Sequence, residues 1–340
     1  MAKILVTGGT GFIGSHTVVE LHNAGYEVII VDNFSNSNPK ILTQLETIIG
    51  VKPAFVELDL CDEQKVKDFV SANPDITGVI HFAAFKAVGE SVQQPLSYYR
   101  NNFFSLINVL NAFNSKIDFV FSSSCTVYGQ PDTLPVTENA AVKKAESPYG
   151  NTKQIAEEIL SETCAVNPEL FVTSLRYFNP VGAHASALIG ELPIGVPQNL
   201  VPFITQSAIG KRGQITVYGN DYNTPDGSAV RDYIHVVDLA KAHVAAIKRL
   251  ESNKARSNYE IFNLGTGKGS SVLEIIHAFE ESTGEKLNYS IGPRREGDVE
   301  QVYGDVTKAA NELGWKAELD IKEMMRSAWN WEKYLKDNPF

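Results

Sequence analysis

The sequence predicts an α/β protein built on a Rossmann-type, doubly wound parallel sheet, with a smaller C-terminal α/β domain. Three observations support this prediction. Short apolar segments alternate with helical segments through the first half, a glycine-rich loop follows the first apolar segment, and glycines and prolines interrupt much of the second half. We therefore expect a nucleotide-binding domain over residues 1–180 and a second domain over residues 181–340, some segments of which return to the large sheet.

Each strand is expected at a short apolar segment bounded by glycines or polar residues. Five such segments occupy residues 4–6, 28–31, 54–56, 79–82 and 119–121. Helical patterns separate them at residues 12–23, 63–70 and about 98–113, and a later helix over 236–250 is expected to return to the sheet. Continuously apolar strands are typical of a parallel sheet covered by helices on both faces.

The composition is that of a globular protein and argues against several classes of function. Forty acidic and 30 basic residues give a formal net charge of −10, which disfavours a surface that binds nucleic acid or an anionic membrane. The three cysteines are far apart, so neither a disulfide framework nor a zinc site is expected. No apolar segment approaches the roughly 18 residues of a membrane span. We expect a cytoplasmic protein that holds no metal ion.

The loop at residues 7–14 reads TGGTGFIG and has the spacing of a dinucleotide-binding fingerprint. Gly8, Gly11 and Gly14 would let a pyrophosphate approach the backbone closely, and the N-terminus of the following helix would supply N–H donors. Asp32 ends the second strand, where a carboxylate can accept hydrogen bonds from both ribose hydroxyls. No arginine follows Asp32 to receive a 2′-phosphate, so NAD is favoured over NADP.

Three other patterns do not indicate a site. Residues 265–270 lack the Gly-Lys-Ser/Thr order of a Walker loop, and residues 221–227 place a proline at the fifth position of a calcium-like loop. His235 and His243 can share one helix face, but no third metal ligand lies at a useful spacing. We expect a loop that leads into a helix near Ser271, a turn, and histidines with structural roles.

A Tyr-x-x-x-Lys pattern joins Tyr149 and Lys153, which lie one turn apart if a helix begins near Pro148. A phenol has a reference pKa of about 10, so it acts as a base near neutral pH only if nearby positive charge stabilises the phenolate. A lysine ammonium or an oxidised nicotinamide can supply that charge. Ser124 lies at the C-terminal end of a predicted parallel strand, where such sheets bind ligands, and could hydrogen-bond the same substrate oxygen.

In their order along the chain, the glycine loop, Ser124 and the Tyr-x-x-x-Lys motif resemble the extended short-chain dehydrogenase/reductase family. Five further segments extend the resemblance over essentially the whole chain, namely residues 85–91, 176–184, 219–222, 230–236 and 293–298. These segments are similar to the UDP-hexose 4-epimerases of that family. Three departures lie beside the motifs: Cys125 stands where alanine is usual, Ala187 where glycine is usual and Leu192 where an acid is usual.

The resemblance implies an NAD-dependent isomerase that interconverts UDP-glucose and UDP-galactose through a transient 4-keto sugar, with hydride removed from and returned to C4. It implies that Tyr149 is the acid and base, that Lys153 tunes it and orients the nicotinamide ribose, and that Ser124 assists. All three would also contact the cofactor. The other implied cofactor contacts are Gly8, Gly11, Phe12, Ile13, Gly14, Asp32, Asn33, Phe34, Ser35, Asn36, Ser37, Asp59, Leu60, Phe82, Ala83, Ala84, Phe85, Lys86, Asn101 and Phe178.

The resemblance also implies a set of contacts to the UDP-sugar, mainly within residues 181–340. These are Asn179, Asn199, Leu200, Thr216, Val217, Tyr218, Arg231, Tyr233, Arg295, Asp298 and Val302. In the family, a bulky tyrosine at the position of Val302 is typical of enzymes restricted to plain hexoses. The smaller valine therefore predicts room for the N-acetyl group of UDP-N-acetylglucosamine and UDP-N-acetylgalactosamine.

The sequence leaves two other functions open. One is a 4,6-dehydratase or a decarboxylase of the same family, although Cys125 and Thr126 stand where a dehydratase needs carboxylates. The other is a catalytically inactive module that senses NAD, although such a module would have no need for Ser124, Tyr149 and Lys153. The resemblance also implies a homodimer that pairs the helices around residues 98–113 and 149–166.

Overall fold

Seven parallel strands form the central sheet of the protein, which a computed structural model describes over residues 2–113, 115–295 and 299–340. The strands are β1 (Lys3–Thr7), β2 (Glu27–Asp32), β3 (Ala54–Glu57), β4 (Ile76–His81), β5 (Ile117–Ser124), β6 (Leu170–Tyr177) and β10 (Tyr259–Leu264). Their order across the sheet is β3-β2-β1-β4-β5-β6-β10. The order reverses between β1 and β4, and the carboxyl ends of these two strands open the crevice in which such sheets bind ligands. The predicted Rossmann-type fold is confirmed.

Helices cover both faces of this sheet, as the apolar strands require. One face carries α1 (Phe12–Asn23), α2 (Lys40–Ile49) and α8 (Val236–Glu251), and the other carries α3 (Glu63–Ala72), α5 (Pro95–Ala112) and α6 (Pro148–Val166). A short helix, α4 (Val88–Gln93), precedes α5. Ile30 and Leu45 lie in the core of the first face, and Leu106 and Phe119 lie in the core of the second. Burial of each such side chain contributes about 1.5–3 kcal/mol.

The remaining elements form a smaller α/β unit. Its strands are β7 (Asn179–Val181), β8 (Ile215–Tyr218), β9 (Val230–His235), β11 (Gly269–Ser271), β12 (Tyr289–Gly292) and β13 (Gln301–Val302). Strand β9 pairs with β7, β11 and β13, whereas β8 pairs with β12. Helices α7 (Leu200–Ala208), α9 (Val272–Thr283) and α10 (Ile321–Asp337) enclose a core around Val217, Phe279 and Met325. Because β7 begins almost where β6 ends, this unit is tied to a strand of the large sheet.

Two elements differ from the sequence expectation. The helix expected at about residue 98 begins at Pro95, because proline suits the first turn of a helix. Helix α2 has no counterpart among the predicted elements. Its buried positions Ile41 and Leu45 nevertheless follow the helical period, and Gly50 ends it in the left-handed conformation.

The three patterns not assigned to a site adopt largely the expected structures. Residues 265–268 form the expected loop, but Gly269–Ser271 form strand β11, and Ser271 is then the N-cap of α9. Residues 221–227 form a turn. His235 caps α8, and His243 bonds a main-chain oxygen of the same helix. Within the described ranges, no three His, Cys, Asp or Glu side chains are grouped to hold a metal ion. Nor does any helix of those ranges combine the length and apolar character needed to cross a bilayer.

Candidate active site

The glycine-rich loop connects β1 to α1 at the crevice between β1 and β4. Gly8 has a φ of +68°, and a Cβ atom there would lie 2.8 Å from the main-chain nitrogen of Ala83, which follows β4. A Cβ atom on Gly14 would lie 2.2 Å from the carbonyl oxygen of Gly8. Only glycine permits such close passage of the backbone. Gly11, the N-cap of α1, has no side chain to occupy the N–H groups of the first turn.

A cavity lies in this crevice and brings together many of the predicted cofactor contacts. It is lined by Gly8, Asp32, Asn33, Ser35, Asn36, Asp59, Leu60, Ala83, Ala84, Phe85 and Asn101, and also by Val31, Leu58 and Ser105. The last three carry no sequence signal, because apolar strand residues and helical serines occur throughout the chain. Phe12 and Ile13 lie beside the loop in the first turn of α1, and Lys86 follows the lining segment directly. Phe82 instead packs against the core, with its ring 4.7 Å from that of His243.

Asp32 lies at the end of β2, and three donors hold its carboxylate. Oδ2 accepts a hydrogen bond from the main-chain nitrogen of Thr10 at 3.1 Å. Oδ1 accepts from the main-chain nitrogen of Phe34 at 2.9 Å and from the hydroxyl of Ser37 at 3.2 Å. Phe34 has a φ of +55°, a conformation that few non-glycine residues adopt. The carboxylate is thus oriented from both sides and retains lone pairs for a diol.

Ser124, Tyr149 and Lys153 come together at the carboxyl end of β5. Ser124 ends that strand, and α6 carries Tyr149 and Lys153 one turn apart, as their spacing predicts. Helix α6 begins at its predicted place because the hydroxyl of Ser147 accepts a first-turn N–H at 3.1 Å. The hydroxyl of Ser124 lies close enough to the Tyr149 phenol to lower its pKa.

Burial dominates the electrostatics of the two titratable side chains on α6. It raises the pKa of the Tyr149 phenol to about 12, and the nearby hydroxyl of Ser124 opposes this rise. Burial lowers the pKa of the Lys153 ammonium to about 8, and the carboxylate of Glu157 opposes that fall. The protein groups therefore hold the phenol neutral near pH 7. Its conversion to a base requires additional positive charge.

Glu157 supports this part of the site, although the sequence alone did not single it out. It lies one turn beyond Lys153 on α6 and forms a buried ion pair with Arg176, whose Nε lies 2.9 Å from Oε1. The hydroxyl of Ser123 donates to the same oxygen at 2.5 Å. Its only sequence signal is its place four residues after Lys153, which is equally typical of a carboxylate on an exposed helix face.

The predicted UDP-sugar contacts come from several segments of the smaller unit. They comprise Asn179 in β7, Asn199 and Leu200 at the start of α7, Thr216, Val217 and Tyr218 in β8, Arg231 and Tyr233 in β9, Arg295 after β12 and Val302 in β13. Strand pairing places Asn179 beside Tyr233 and Arg231 beside Val302. Of the described members of this set, none lines the cavity between β1 and β4. Asp298 lies outside the described residues.

Val302 is buried in a small apolar cluster, several members of which follow Ser124 closely in the sequence. Val127, Tyr128 and Phe178 belong to the same cluster, and the partly buried Cys125 packs against it. Phe178, which the resemblance implies as a cofactor contact, therefore lies with Val302 rather than among the residues that line the cavity.

Thr126 is a further polar residue of this region that the sequence reading does not assign. Its Oγ1 is buried and has no hydrogen-bond partner among the described residues. Its main-chain nitrogen donates a hydrogen bond to the hydroxyl of Ser124 at 3.2 Å, which holds the Ser124 side chain against the main chain of Thr126. Buried hydroxyls are normally hydrogen-bonded, so this one suits a ligand.

Comparisons of sequence find a family model and named relatives that each match nearly the whole chain. A family model described as GDP-mannose 4,6 dehydratase matches residues 5–328. The chain is 49% identical over 332 residues to a Haemophilus influenzae protein named UDP-glucose 4-epimerase, and the match covers 97% of each chain. It is 48% identical over 332 residues to a Bacillus subtilis protein of the same name, with 97% of this chain and 96% of the relative covered.

Solved structures agree with the sequence comparisons. A UDP-glucose-4-epimerase from Stenotrophomonas maltophila, with bound NAD and formylated UDP-arabinopyranose, has a TM-score of 0.95 and 45% identity, with 99% of each chain covered. A UDP-glucose 4-epimerase from Bifidobacterium longum, in complex with NAD+ and UDP, has a TM-score of 0.91 and 47% identity at the same coverage. With the same fold and nearly half of its residues shared over its whole length, the chain belongs to the UDP-glucose 4-epimerase family of the extended short-chain dehydrogenases/reductases.

Proposed function

We propose that the protein interconverts UDP-glucose and UDP-galactose by NAD-dependent oxidation and re-reduction of C4 of the hexose. One observation supports the proposal most directly: Ser124, Tyr149 and Lys153 lie together at the carboxyl end of β5. The glycine loop lies at the crevice of the same sheet. Relatives at 46–49% identity are named for this activity, and the Bifidobacterium longum structure contains both NAD+ and UDP.

The residues of the crevice fit NAD. Gly8 and Gly14 keep the loop free of side chains, so a pyrophosphate can approach the backbone and the N-terminus of α1. The carboxylate of Asp32 can accept hydrogen bonds from a ribose diol and would repel a 2′-phosphate. When bound, NAD supplies the acceptor and donor of the hydride exchanged at C4 and, in its oxidised form, a positive charge.

Tyr149 takes the proton from the C4 hydroxyl and later returns it. The hydroxyl of Ser124 lies beside the Tyr149 phenol and can bond the same substrate oxygen, which aligns that oxygen with the base. Lys153 lies with its ammonium 6.0 Å from the centre of the Tyr149 ring, close enough to stabilise the phenolate. Because the hydride is returned to the sugar, the overall reaction consumes no oxidant.

The UDP moiety provides the binding energy, because a sugar that must present both faces of C4 has to be held loosely. We assign Arg231 and Arg295 to the diphosphate, to which a guanidinium can donate two hydrogen bonds. The main-chain N–H groups at the start of α7 suit the same anion, because the side chain of its N-cap, Asn199, does not cap the helix. The uracil is assigned to the edge of β8, where Thr216 and Tyr218 are exposed.

The sugar subsite is expected to accept N-acetylated UDP-hexoses as well. Val302 is a small side chain in the cluster beside Ser124, and we expect it to leave room that a tyrosine ring at this position would take. An acetamide group at C2 of the hexose could occupy that space.

A dehydratase is disfavoured by the turn that follows Ser124. Elimination of water across C5 and C6 needs an additional acid/base pair. The 3₁₀ turn Cys125–Tyr128 occupies the place of that pair and contains no carboxylate. A module that only senses NAD is disfavoured because it would not need a buried serine, tyrosine and lysine held together.

We also propose that the protein is a homodimer of the cytoplasm. Helices α5 and α6 expose apolar side chains, with Leu96 82%, Phe104 47% and Val166 83% exposed. Pairing of these helices with those of a second copy would cover them. All three cysteines are free, which suits a reducing compartment. Light scattering of the purified protein would test the dimer, and a monomeric mass at micromolar concentration would contradict it.

The decisive experiment incubates the purified protein with UDP-galactose and no added cofactor. The expected product is UDP-glucose, formed by protein that carries NAD through purification and leaves no net NADH. Steady net production of NADH would identify a dehydrogenase instead. A product that has lost water would identify a dehydratase, and a protein that binds NAD without converting the sugar would identify the sensing module.

A further inference from the structure

Glu191 lies between the two parts of the proposed site and contacts one residue from each. Its Oε1 lies 3.3 Å from the ammonium of Lys86, which follows the cofactor-cavity segment. The same oxygen accepts a hydrogen bond from the amide nitrogen of Asn199 at 2.7 Å. Lys86 and Asn199 are far apart in sequence, so one carboxylate oxygen joins two distant segments.

The main chain that carries this carboxylate is tightly packed. The Glu191 side chain is only 11% exposed, and its main-chain oxygen accepts from the indole nitrogen of Trp331 at 2.8 Å. Gly190 packs so closely on that indole that a Cβ atom would lie 2.4 Å from Cδ1 of the ring. These contacts fix the main chain of Glu191, so its side chain extends from a rigid base and a ligand can still order the carboxylate.

Each donor keeps hydrogen-bonding capacity for a ligand. A carboxylate only accepts, so the amide of Asn199 must turn its nitrogen to Glu191, which leaves one N–H and the carbonyl oxygen available. Asn199 makes this bond although it is the N-cap of α7, where an asparagine normally caps the helix itself. The ammonium of Lys86 has three donors, of which Glu191 takes one, and it lies 5.9 Å from the centre of the Phe12 ring in the first turn of α1.

We propose that Glu191 is a positioning residue that couples occupancy of the UDP-sugar part of the site to retention of the cofactor. The inference rests on the proposed function. A ligand that orders Asn199 also orders the carboxylate, which in turn holds Lys86 beside α1. Because Lys86 and Asn199 share Oε1, any shift of the carboxylate towards one donor changes its contact with the other. Coupling between sites is reciprocal, so bound UDP slows the loss of NAD and bound NAD tightens the binding of UDP.

The test measures release of NAD from the holoenzyme with and without saturating UDP. We expect UDP to slow release by about tenfold in the wild type, within the usual range for coupled sites. Glu191→Gln keeps the shape and the bond to Asn199 but removes the charge that holds Lys86, so the effect of UDP should shrink to about twofold. Lys86→Met should reduce it equally, and the double variant should add nothing further.

Glu318→Gln is the matched control. It removes an exposed carboxylate that forms an ion pair with Lys241 at 3.5 Å, and this pair lies outside the proposed site. It should retain the wild-type effect of UDP. The proposal is overturned if Glu191→Gln shows the wild-type ratio of release rates, even at a lowered melting temperature, because Glu191 would then be only structural. If Glu191→Gln does not fold, an unaltered ratio in Lys86→Met overturns it. Failure of the wild-type holoenzyme to bind UDP would overturn the proposed function as well.

Discussion

The ammonium of Lys153 donates a hydrogen bond to the main-chain oxygen of Ser122 at 2.6 Å and thereby joins α6 to β5. The same ammonium lies 4.8 Å from the centre of the Phe121 ring and 6.0 Å from that of Tyr149. Lys153 is thus a buried cation fixed beside the proposed base. Because its pKa is lowered only to about 8, most of it remains protonated at pH 7.

Replacement of Lys153 by methionine should raise the pKa of Tyr149, because a nearby positive charge that stabilises the phenolate is lost. The limb of the pH–rate profile on which activity rises with pH should therefore move to higher pH. The measurement is turnover of UDP-galactose between pH 6 and 10. Lys241→Met, on the exposed face of α8, should leave the profile unchanged. A Lys153→Met profile that coincides with the wild type would contradict this role.

Tyr149→Phe removes only the titrating oxygen, so the shape of the site is kept. Turnover should fall by roughly 10²–10⁴-fold, as is typical when an acid/base group is lost. The affinity for UDP, measured by calorimetry on the holoenzyme, should stay within about twofold of the wild type. Turnover close to normal would eliminate Tyr149 as the proton carrier.

Asp32→Ala should weaken NAD binding and partly relieve the exclusion of NADP. The change removes an acceptor for the ribose diol and a negative charge that repels a 2′-phosphate. It also leaves three local donors, including the hydroxyl of Ser37, without their acceptor. The measurement is the ratio of NAD to NADP affinity, with the exposed Asp75→Ala as control. An unchanged ratio would show that the discrimination lies elsewhere.

Val302→Tyr should abolish activity on UDP-N-acetylglucosamine and UDP-N-acetylgalactosamine and spare UDP-galactose. The added ring would fill the space proposed for the acetamide, so the larger substrate would clash with it. Val302→Ala is the control and should keep both activities, because it adds no bulk. The expectation fails if the wild type shows no N-acetyl activity at millimolar substrate.

Asp118→Asn should stabilise the protein at pH 8 and have little effect at pH 4. Burial raises the pKa of Asp118 to about 6, helped by Glu251 and opposed by Lys116, and its Oδ1 has no hydrogen-bond partner among the described residues. A folded-state pKa above the unfolded value means that stability falls as pH rises from about 4 to about 6. Removal of the charge should recover up to about 2 kcal/mol above that window. Thermal denaturation at both pH values tests this, with Asp75→Asn as the exposed control.

Local patterns were sufficient to predict most of the fold and which residues of the proposed site lie together. The glycine loop, Asp32 and the pair Tyr149 and Lys153 each lie within one β–α connection or one helix turn. Geometry over so short a stretch of chain follows from the backbone itself, so spacing predicts it. Helix α2 was not predicted despite its helical period, because a short amphipathic helix between two strongly apolar strands gives a weaker signal than the strands do.

The tertiary structure alone decided which distant residues share an environment. No sequence spacing reveals three of these contacts. They are the hydrogen bond of Lys153 to Ser122, the ion pair of Glu157 with Arg176, and the joint contact of Lys86 and Asn199 with Glu191. Burial likewise sets the pKa of Tyr149 to about 12, and burial is a property of the packed molecule. These features depend on how crossover connections bring strand ends together. A residue type therefore states what chemistry is available, whereas packing decides which partners and what polarity it meets.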